Sequence, residues 1–282
     1  MDHCILDHEQ VLQILPERSV FSHKGNFGRI LMLCGSEGYT GAAALAAMGA
    51  LRTGAGLVYL GVPRAIYPIM AVKLTEPVVF PLPDSNGTLS TFAVTEIRDR
   101  LTGMDVVLIG SGLGRSEGTE AVLECVLQEF SGTVILDADG INMLVRHKDL
   151  LRGRAGITIL TPHEGEFRRL GYEPAGKRIE SAIAAAKDLG AIMVLKGHHT
   201  VITDGIMTFI NPTGNPGMAV GGSGDVLAGI IAGLSGQGIS PIHAAACGAW
   251  LHGAAGDVCA RDYGQYGMLP SDMLQVLPGL MK

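Results

Sequence analysis

Aromatic side chains are scarce in this sequence, Phe, Trp and Tyr together making up 5%. With 40 glycines beside them, that scarcity fits tightly packed helices on a sheet better than an all-β sandwich. Runs of Lys and Arg are missing too, and the formal net charge is −6. Nucleic acid is therefore an unsuitable partner, because affinity for it rests on clustered positive charge. The 5 cysteines form no C-x-x-C pair, which removes both a zinc ribbon and a disulfide framework and points to free thiols in a reducing cytoplasm. The opening MDHCILDHEQ has acids where a secretory signal would have a basic and then an apolar segment. No G-x-x-x-x-G-K-[ST] occurs, so the chain is not a P-loop enzyme. Charge is also absent from Val226 to Gly256. That stretch is broken by SGQGISP (235–241) and carries His243 and His252, so two buried helices joined by a turn are expected rather than a membrane span.

What is present is an alternation of short apolar strands and helices. RILMLCG, GLVYLGVP, DVVLIG, TVILDADG, ITILTPHEGE and AIMVLKG read as strands, with helices between them, while residues 81–90 read as a loop. TVITDG and IMTFIN suggest an antiparallel hairpin turning at Asp204-Gly205. The fold class is α/β: a mainly parallel central sheet covered by helices on both faces. No linker, repeat or composition shift divides the chain, so residues 1–282 are expected to form a single domain. In such sheets ligands bind beyond the carboxyl ends of the strands, and the loops after Gly35, Gly110, Leu136, Leu160 and Lys196 should converge there.

The strongest local signal is GGSGD, residues 221–225. Gly221, Gly222, Ser223 and Gly224 let a ligand approach the backbone where a helix begins, and a helix start is an anion site. Asp225 could be an ordinary N-cap, or a general base that takes a proton from a hydroxyl as it attacks a phosphoryl group. LDADGIN offers Asp137, Asp139 and Asn142, with loop capping as the plain alternative. TPHEGE offers His163 and Glu164, with Glu166 able to hold Mg²⁺ through waters. Lys196 could meet a nucleotide phosphate or simply snorkel to solvent. GSGLG after DVVLIG lacks the third glycine of a dinucleotide fingerprint, Arg115 standing there. His243 and His252 read as helix residues satisfied by packing.

NPTGNPGMAVGGSGDVLAG, taken with TPHEGE, LDADGIN, LKGHHT and HKGNFGRILMLCGSEGYTGAAALAA, resembles the NAD(P)H-hydrate dehydratases, a carbohydrate-kinase-like branch of the ribokinase-like superfamily. The resemblance runs from about His23 to the C-terminal helices. It implies a ribokinase-like three-layer αβα fold, without the epimerase domain fused to some relatives. It implies a hydro-lyase of metabolite repair, which returns the S-form of hydrated NADH or NADPH to the intact cofactor. ADP or ATP would phosphorylate the C6 hydroxyl and phosphate would then leave; the motifs are worded like those of the ADP-dependent type. By matching position, substrate contacts fall on Ala42, Gly112, His163 and Asp225, with Asp225 as the catalytic base. Nucleotide contacts fall on Lys196, Gly197, His198, His199 and Thr200 and on the glycine loop through Gly224. Mg²⁺ would be managed by Glu166 and Asp137. The family's usual Thr or Ser is replaced by Val220, which removes a hydroxyl contact to nucleotide or to a monovalent cation. The resemblance also implies a cytoplasmic homo-oligomer such as a tetramer. The rival reading is an ATP-dependent small-molecule kinase of the same superfamily, acting on a vitamin precursor or sugar-like alcohol, which would accumulate a phosphorylated product.

Overall fold

The computed structural model describes residues 3–174 and 176–282. Helix α1 (His8–Ile14) precedes β1 (Arg29–Leu33), α2 (Thr40–Arg52) and β2 (Leu57–Pro63). Then come α3 (Tyr67–Lys73), β3 (Val78–Leu82), a small hairpin of β4 (Asp84–Ser85) and β5 (Thr88–Leu89), α4 (Ala93–Leu101) and β6 (Val106–Ile109). The middle of the chain alternates α5 (Glu117–Glu129), β7 (Thr133–Leu136), α6 (Asp139–Leu144), β8 (Thr158–Leu160), α7 (Glu164–Arg169), α8 (Arg178–Leu189) and β9 (Ile192–Leu195). It closes with β10 (Val201–Thr203), β11 (Thr208–Ile210), α9 (Ser223–Gly236), α10 (Pro241–Tyr263) and α11 (Pro270–Leu280).

The sheet has nine strands in the order β11-β10-β9-β8-β7-β6-β1-β2-β3. All neighbours are parallel except β10, which runs antiparallel to both β9 and β11, as the expected hairpin at Asp204-Gly205 requires. The central strands are apolar apart from an occasional terminal Thr or Arg, because both faces of the sheet are covered. Ile30 and Met32 enter one core with α2, α9 and α10, while Leu31 and Leu33 enter the other with α4, α5 and α8. Side chains alternate faces with period two, so one strand feeds two cores, and each fully buried Ile or Leu contributes about 1.5–3 kcal/mol.

Residues 81–90 are not the plain loop expected. Val78–Leu82 is the edge strand β3, with Pro81 opposite Val62. Proline lacks the N–H a central strand needs, but an edge strand has a free side, so Pro81 is accommodated there. The charge-free stretch divides into α9 and α10 as expected. Among the described residues no helix is long and apolar enough to cross a membrane.

Two features aim the chain at one crevice. The strand order reverses between β1 and β6, where the loops after both strands part and leave a cleft. Helix α9 lies directly against α2, because a Cβ on Gly229 would stand 2.1 Å from the Ala46 carbonyl oxygen. That contact holds the N-terminus of α9 over the same end of the sheet.

Candidate active site

A cavity of about 930 Å³ opens at the carboxyl ends of β7, β8 and β9 and at the start of α9. Its wall includes Asp137, His163, Glu166, Lys196, Ser223 and Asp225. A second cavity, of about 580 Å³, lies at the opposite ends of β6 and β7, where Arg98 is already paired with Glu129. Its acids are Glu129, held by Arg98, and Asp105, which accepts from the Arg29 N–H. The first cavity, with its helix start and cluster of titratable side chains, is therefore the candidate site.

Asp225 does not cap α9. Gly222 occupies the N-cap in a left-handed conformation (φ 99°), and Asp225 sits in the first turn, among N–H groups without intrahelical partners. Its carboxyl is pushed up to about 6, first by burial and then by the negative charge of Asp137; the Ser111 hydroxyl and the Lys196 ammonium pull partly the other way. A carboxylate with that affinity for protons is matched to general-base work near neutral pH.

Asp137 directly follows β7 and is 2% exposed. It accepts from Ser111 Oγ at 3.0 Å, Thr161 Oγ1 at 2.7 Å and Lys196 Nζ at 3.1 Å. Ala138, beside it, adopts φ 46°, a conformation L-residues rarely take and one often found where a loop is shaped for function. Burial alone would lower the Lys196 ammonium, but Asp137 and Glu166 more than offset it, so the net direction is upward and the group stays charged. Cys34, under the same floor, is raised by burial and by Asp225 and Asp137, so its thiol stays protonated.

His163 is both a cap and a wall. Its Nδ1 accepts from the Gly165 and Glu166 N–H groups at the start of α7, at 2.9 and 3.3 Å. The Glu166 carboxylate returns the favour by accepting from the His163 N–H at 2.9 Å. With Nδ1 accepting, the neutral ring carries its hydrogen on Nε2, which stands 3.5 Å from Glu166 Oε1. Asp139 and Asn142, by contrast, hold the loop: Asp139 accepts from the Gly114 N–H, and Asn142 pairs with Asp139 and Arg169. Glu164 is consumed by Arg178 and Arg168.

Gly197, His198, His199 and Thr200 form one lip of the cavity. Thr200 Oγ1 donates to the Gly197 carbonyl at 3.0 Å and closes the turn, while His199 has φ 55° and its ring stacks on His198 with centroids 4.0 Å apart. Gly222, Ser223 and Gly224 form the opposite lip. Ala42 and Gly112 lie together beyond the Ser111 side, a Cβ on Gly112 falling 2.8 Å from that of Ala42. Neither they nor Gly221 line the main cavity. Val220 is 40% exposed at its rim.

The comparisons with known proteins agree with this architecture. Residues 30–279 match the Carb_kinase family, described as NAD(P)H-hydrate dehydratase. The chain belongs to the NAD(P)H-hydrate dehydratase family. It is 46% identical over 275 residues to the bifunctional NAD(P)H-hydrate repair enzyme Nnr of Moorella thermoacetica, covering 95% of this chain and 52% of that protein. The chain thus spans about half the length of the curated relatives it matches. Among solved structures it is similar to the ADP/ATP-dependent NAD(P)H-hydrate dehydratase of Bacillus subtilis co-crystallized with ATP and Mg²⁺. That match has a TM-score of 0.85 and 32% identity, over 99% of this chain and 98% of the other. Hydroxyethylthiazole kinase of Pyrococcus horikoshii, at TM-score 0.63 and 16% identity, shares the ribokinase-like fold alone. In this family member, then, the cavity lies where an αβα sheet of its kind places ligands.

His252 is the residue the sequence underrated. Read as helix packing, it is a cavity-wall residue only 8% exposed, with its ring nitrogen on Ser223. Its spacing from Ser223, 29 positions away, carries no local signal.

Proposed function

We propose that residues 1–282 act as one ADP-dependent dehydratase domain. It would restore the S-form of hydrated NADH or NADPH to the intact cofactor, with ATP as the alternative donor. The observation that carries this reading is Asp225: a buried carboxyl pushed up to about 6 in the first turn of a helix, with the Lys196 ammonium nearby. In the first step Asp225 takes the proton of the C6 hydroxyl as its oxygen attacks the terminal phosphoryl group of the donor. The N–H groups of Gly224 and Asp225, with Lys196, stabilise charge on the transferred phosphoryl group, the Ser223 N–H being spent on the Val220 carbonyl. In the second step the C6–O bond breaks, phosphate leaves with the bonding pair, and loss of a ring proton restores the double bond. Hydroxide is a poor leaving group and phosphate a good one, which is why a donor is consumed. Lys196 to Thr200 would hold the donor; Ala42, Gly112 and His163 would hold the hydrated ring.

The acids suit a hydrated Mg²⁺ rather than one bound directly. Among the described residues no group of three or more His, Cys, Asp or Glu could hold a metal. Asp137 is already filled by three donors, and Glu166 is held by the His163 N–H. Glu166 and Asp137 would therefore reach the ion through its waters, and the ion would neutralise the donor phosphates. Val220 offers a monovalent cation no hydroxyl. We place the enzyme in the cytoplasm as a homo-oligomer, with no nucleic acid or membrane partner.

The test is a repair assay: the protein with hydrated NADPH or NADH, Mg²⁺, and ADP or ATP in parallel, followed by absorbance of the reduced nicotinamide. Recovery with release of phosphate is expected. No recovery with either donor overturns the proposal, and a stable phosphorylated hydrate would make the protein a kinase instead.

A further inference from the structure

The helix that closes the back of the cavity does more than pack. Several groups of α10 hold the segment leading into the glycine loop. The Ala249 and Trp250 carbonyls accept from Asn211 Nδ2 and Thr213 Oγ1 at 3.1 and 2.9 Å. Asp257 accepts from the Gly214 N–H and from Asn215 Nδ2, each at 2.9 Å. His252 extends this attachment into the first turn of α9. Its Nε2 stands 2.8 Å from the Ser223 carbonyl oxygen and 3.3 Å from Ser223 Oγ.

The geometry assigns the proton. An unprotonated Nε2 at 2.8 Å from a carbonyl oxygen would set two lone pairs against each other, so Nε2 carries hydrogen and donates. Burial, with help from the charge of Lys196, holds the imidazolium down to about 4, so the ring is neutral around pH 7. With Nε2 committed as donor, Ser223 Oγ can only accept from His252. Its own hydroxyl proton is left over, on a residue that lines the cavity.

We propose that His252 is a positioning residue: it fixes the carbonyl and hydroxyl of Ser223, so that Ser223 Oγ–H and the first-turn N–H groups of α9 point at the phosphoryl group. This rests on the phosphoryl-transfer reading above. A donor misdirected by even part of an ångström stabilises the transition state less while still permitting substrate to bind, so the effect falls on kcat rather than KM.

The experiment compares His252→Gln, which keeps a donor at the place of Nε2, with His252→Phe, which keeps the bulk without one. Ser223→Ala and the His252→Phe/Ser223→Ala pair complete the set, each checked for folding by thermal melting. The Phe variant should lose about 30-fold in kcat with KM for the hydrate within about threefold, and Gln should stay within about threefold of the parent. Because His252 acts through Ser223, the double variant should be no slower than the slower single one. Should the Phe variant not fold, His252→Asn, whose shorter amide cannot reach the carbonyl, replaces it with the same expectation. A fully active Phe variant, equal losses in Phe and Gln, a loss confined to KM, or multiplying losses in the double variant overturns the proposal. ADP affinity by calorimetry separates the two readings. A parent that binds ADP but repairs nothing refutes the function, while weaker ADP binding in Phe but not in Gln still supports the positioning.

Discussion

Two glycine-rich stretches, GSGLG at 110–114 and GGSGD at 221–225, look alike on paper. Yet apart from Gly222, which needs φ 99° and whose Cβ would fall 2.6 Å from Leu45, the glycines of the second have a different reason from those of the first. In the first, the protein itself forbids a side chain. A Cβ on Gly110 would fall 1.9 Å from the Asp137 carbonyl oxygen, and one on Gly114 would fall 2.8 Å from Thr88. In the second, Gly221 has nothing within 4 Å, and Gly224 has only Lys196 Nζ, at 3.3 Å. No packing demand explains glycine at these two places. A bare backbone beside a helix start and an ionisable acid, with Gly224 on the cavity lip and Gly221 just outside it, is what the proposed phosphate site would require. Glycine content alone is a poor guide to a binding loop; glycine facing empty space at a helix N-terminus is a good one.

The comparison can be broken most sharply at its acid. Asp225→Asn keeps the bare amides and removes the proposed base, so turnover should fall by about a thousandfold or more while ADP affinity changes by less than about threefold. An active Asn variant in the repair assay would remove the base from the mechanism.

The glycines come next. Gly110→Ala, at φ 128° and against backbone, should lower unfolding free energy by about 3 kcal/mol or more in urea titrations. Gly221→Ala should leave the melting temperature nearly unchanged and reduce kcat/KM by about tenfold. Equal stability losses at the two sites would dissolve the distinction.

Proton affinity supplies a third test. As the proposed base, Asp225 would have to be ionised, so kcat/KM should fall as pH drops through about 6. Stability runs the other way. A carboxyl raised from 3.8 to about 6 in the fold favours the folded state below pH about 4, and that contribution is lost as pH rises through 6. Asp225→Asn should therefore melt higher than the parent at pH 7, by at most about 3 kcal/mol in stability, and match it near pH 3. A constant difference across pH would sink the assignment. The smallest effect is expected from Ser111→Ala. Losing that hydroxyl should raise the acid limb of the pH profile by less than about one pH unit, and a downward move would contradict the part given to Ser111 in holding Asp225 down.

Much of this was legible in the sequence, and the residues show why. Apolar strands such as VVLI announce burial on both faces, because no polar side chain is left for solvent. The turn at Asp204-Gly205 and the break at SGQGISP are local chemistry, and both stand where expected. Pro81 misled because a proline inside a strand is tolerated or not according to whether the strand is at the edge, and edges are tertiary facts. Asp137 and Asp139, two positions apart, could not be separated by inspection. One enters the cavity with three donors; the other is spent on the Gly114 N–H.

The sequence by itself determined the alternation of strands and helices, the hairpin, and the presence of an acid at a glycine-rich helix start, since each follows from neighbours along the chain. Only the tertiary structure decided that Gly222 rather than Asp225 caps α9, that His163 caps α7 while facing the cavity, and that His252 reaches Ser223. It also decided how strongly Asp225 holds its proton, because that depends on burial and on Asp137, 88 positions earlier in the chain. Charges and lone pairs act through space, and distance in space is what a one-dimensional string leaves out.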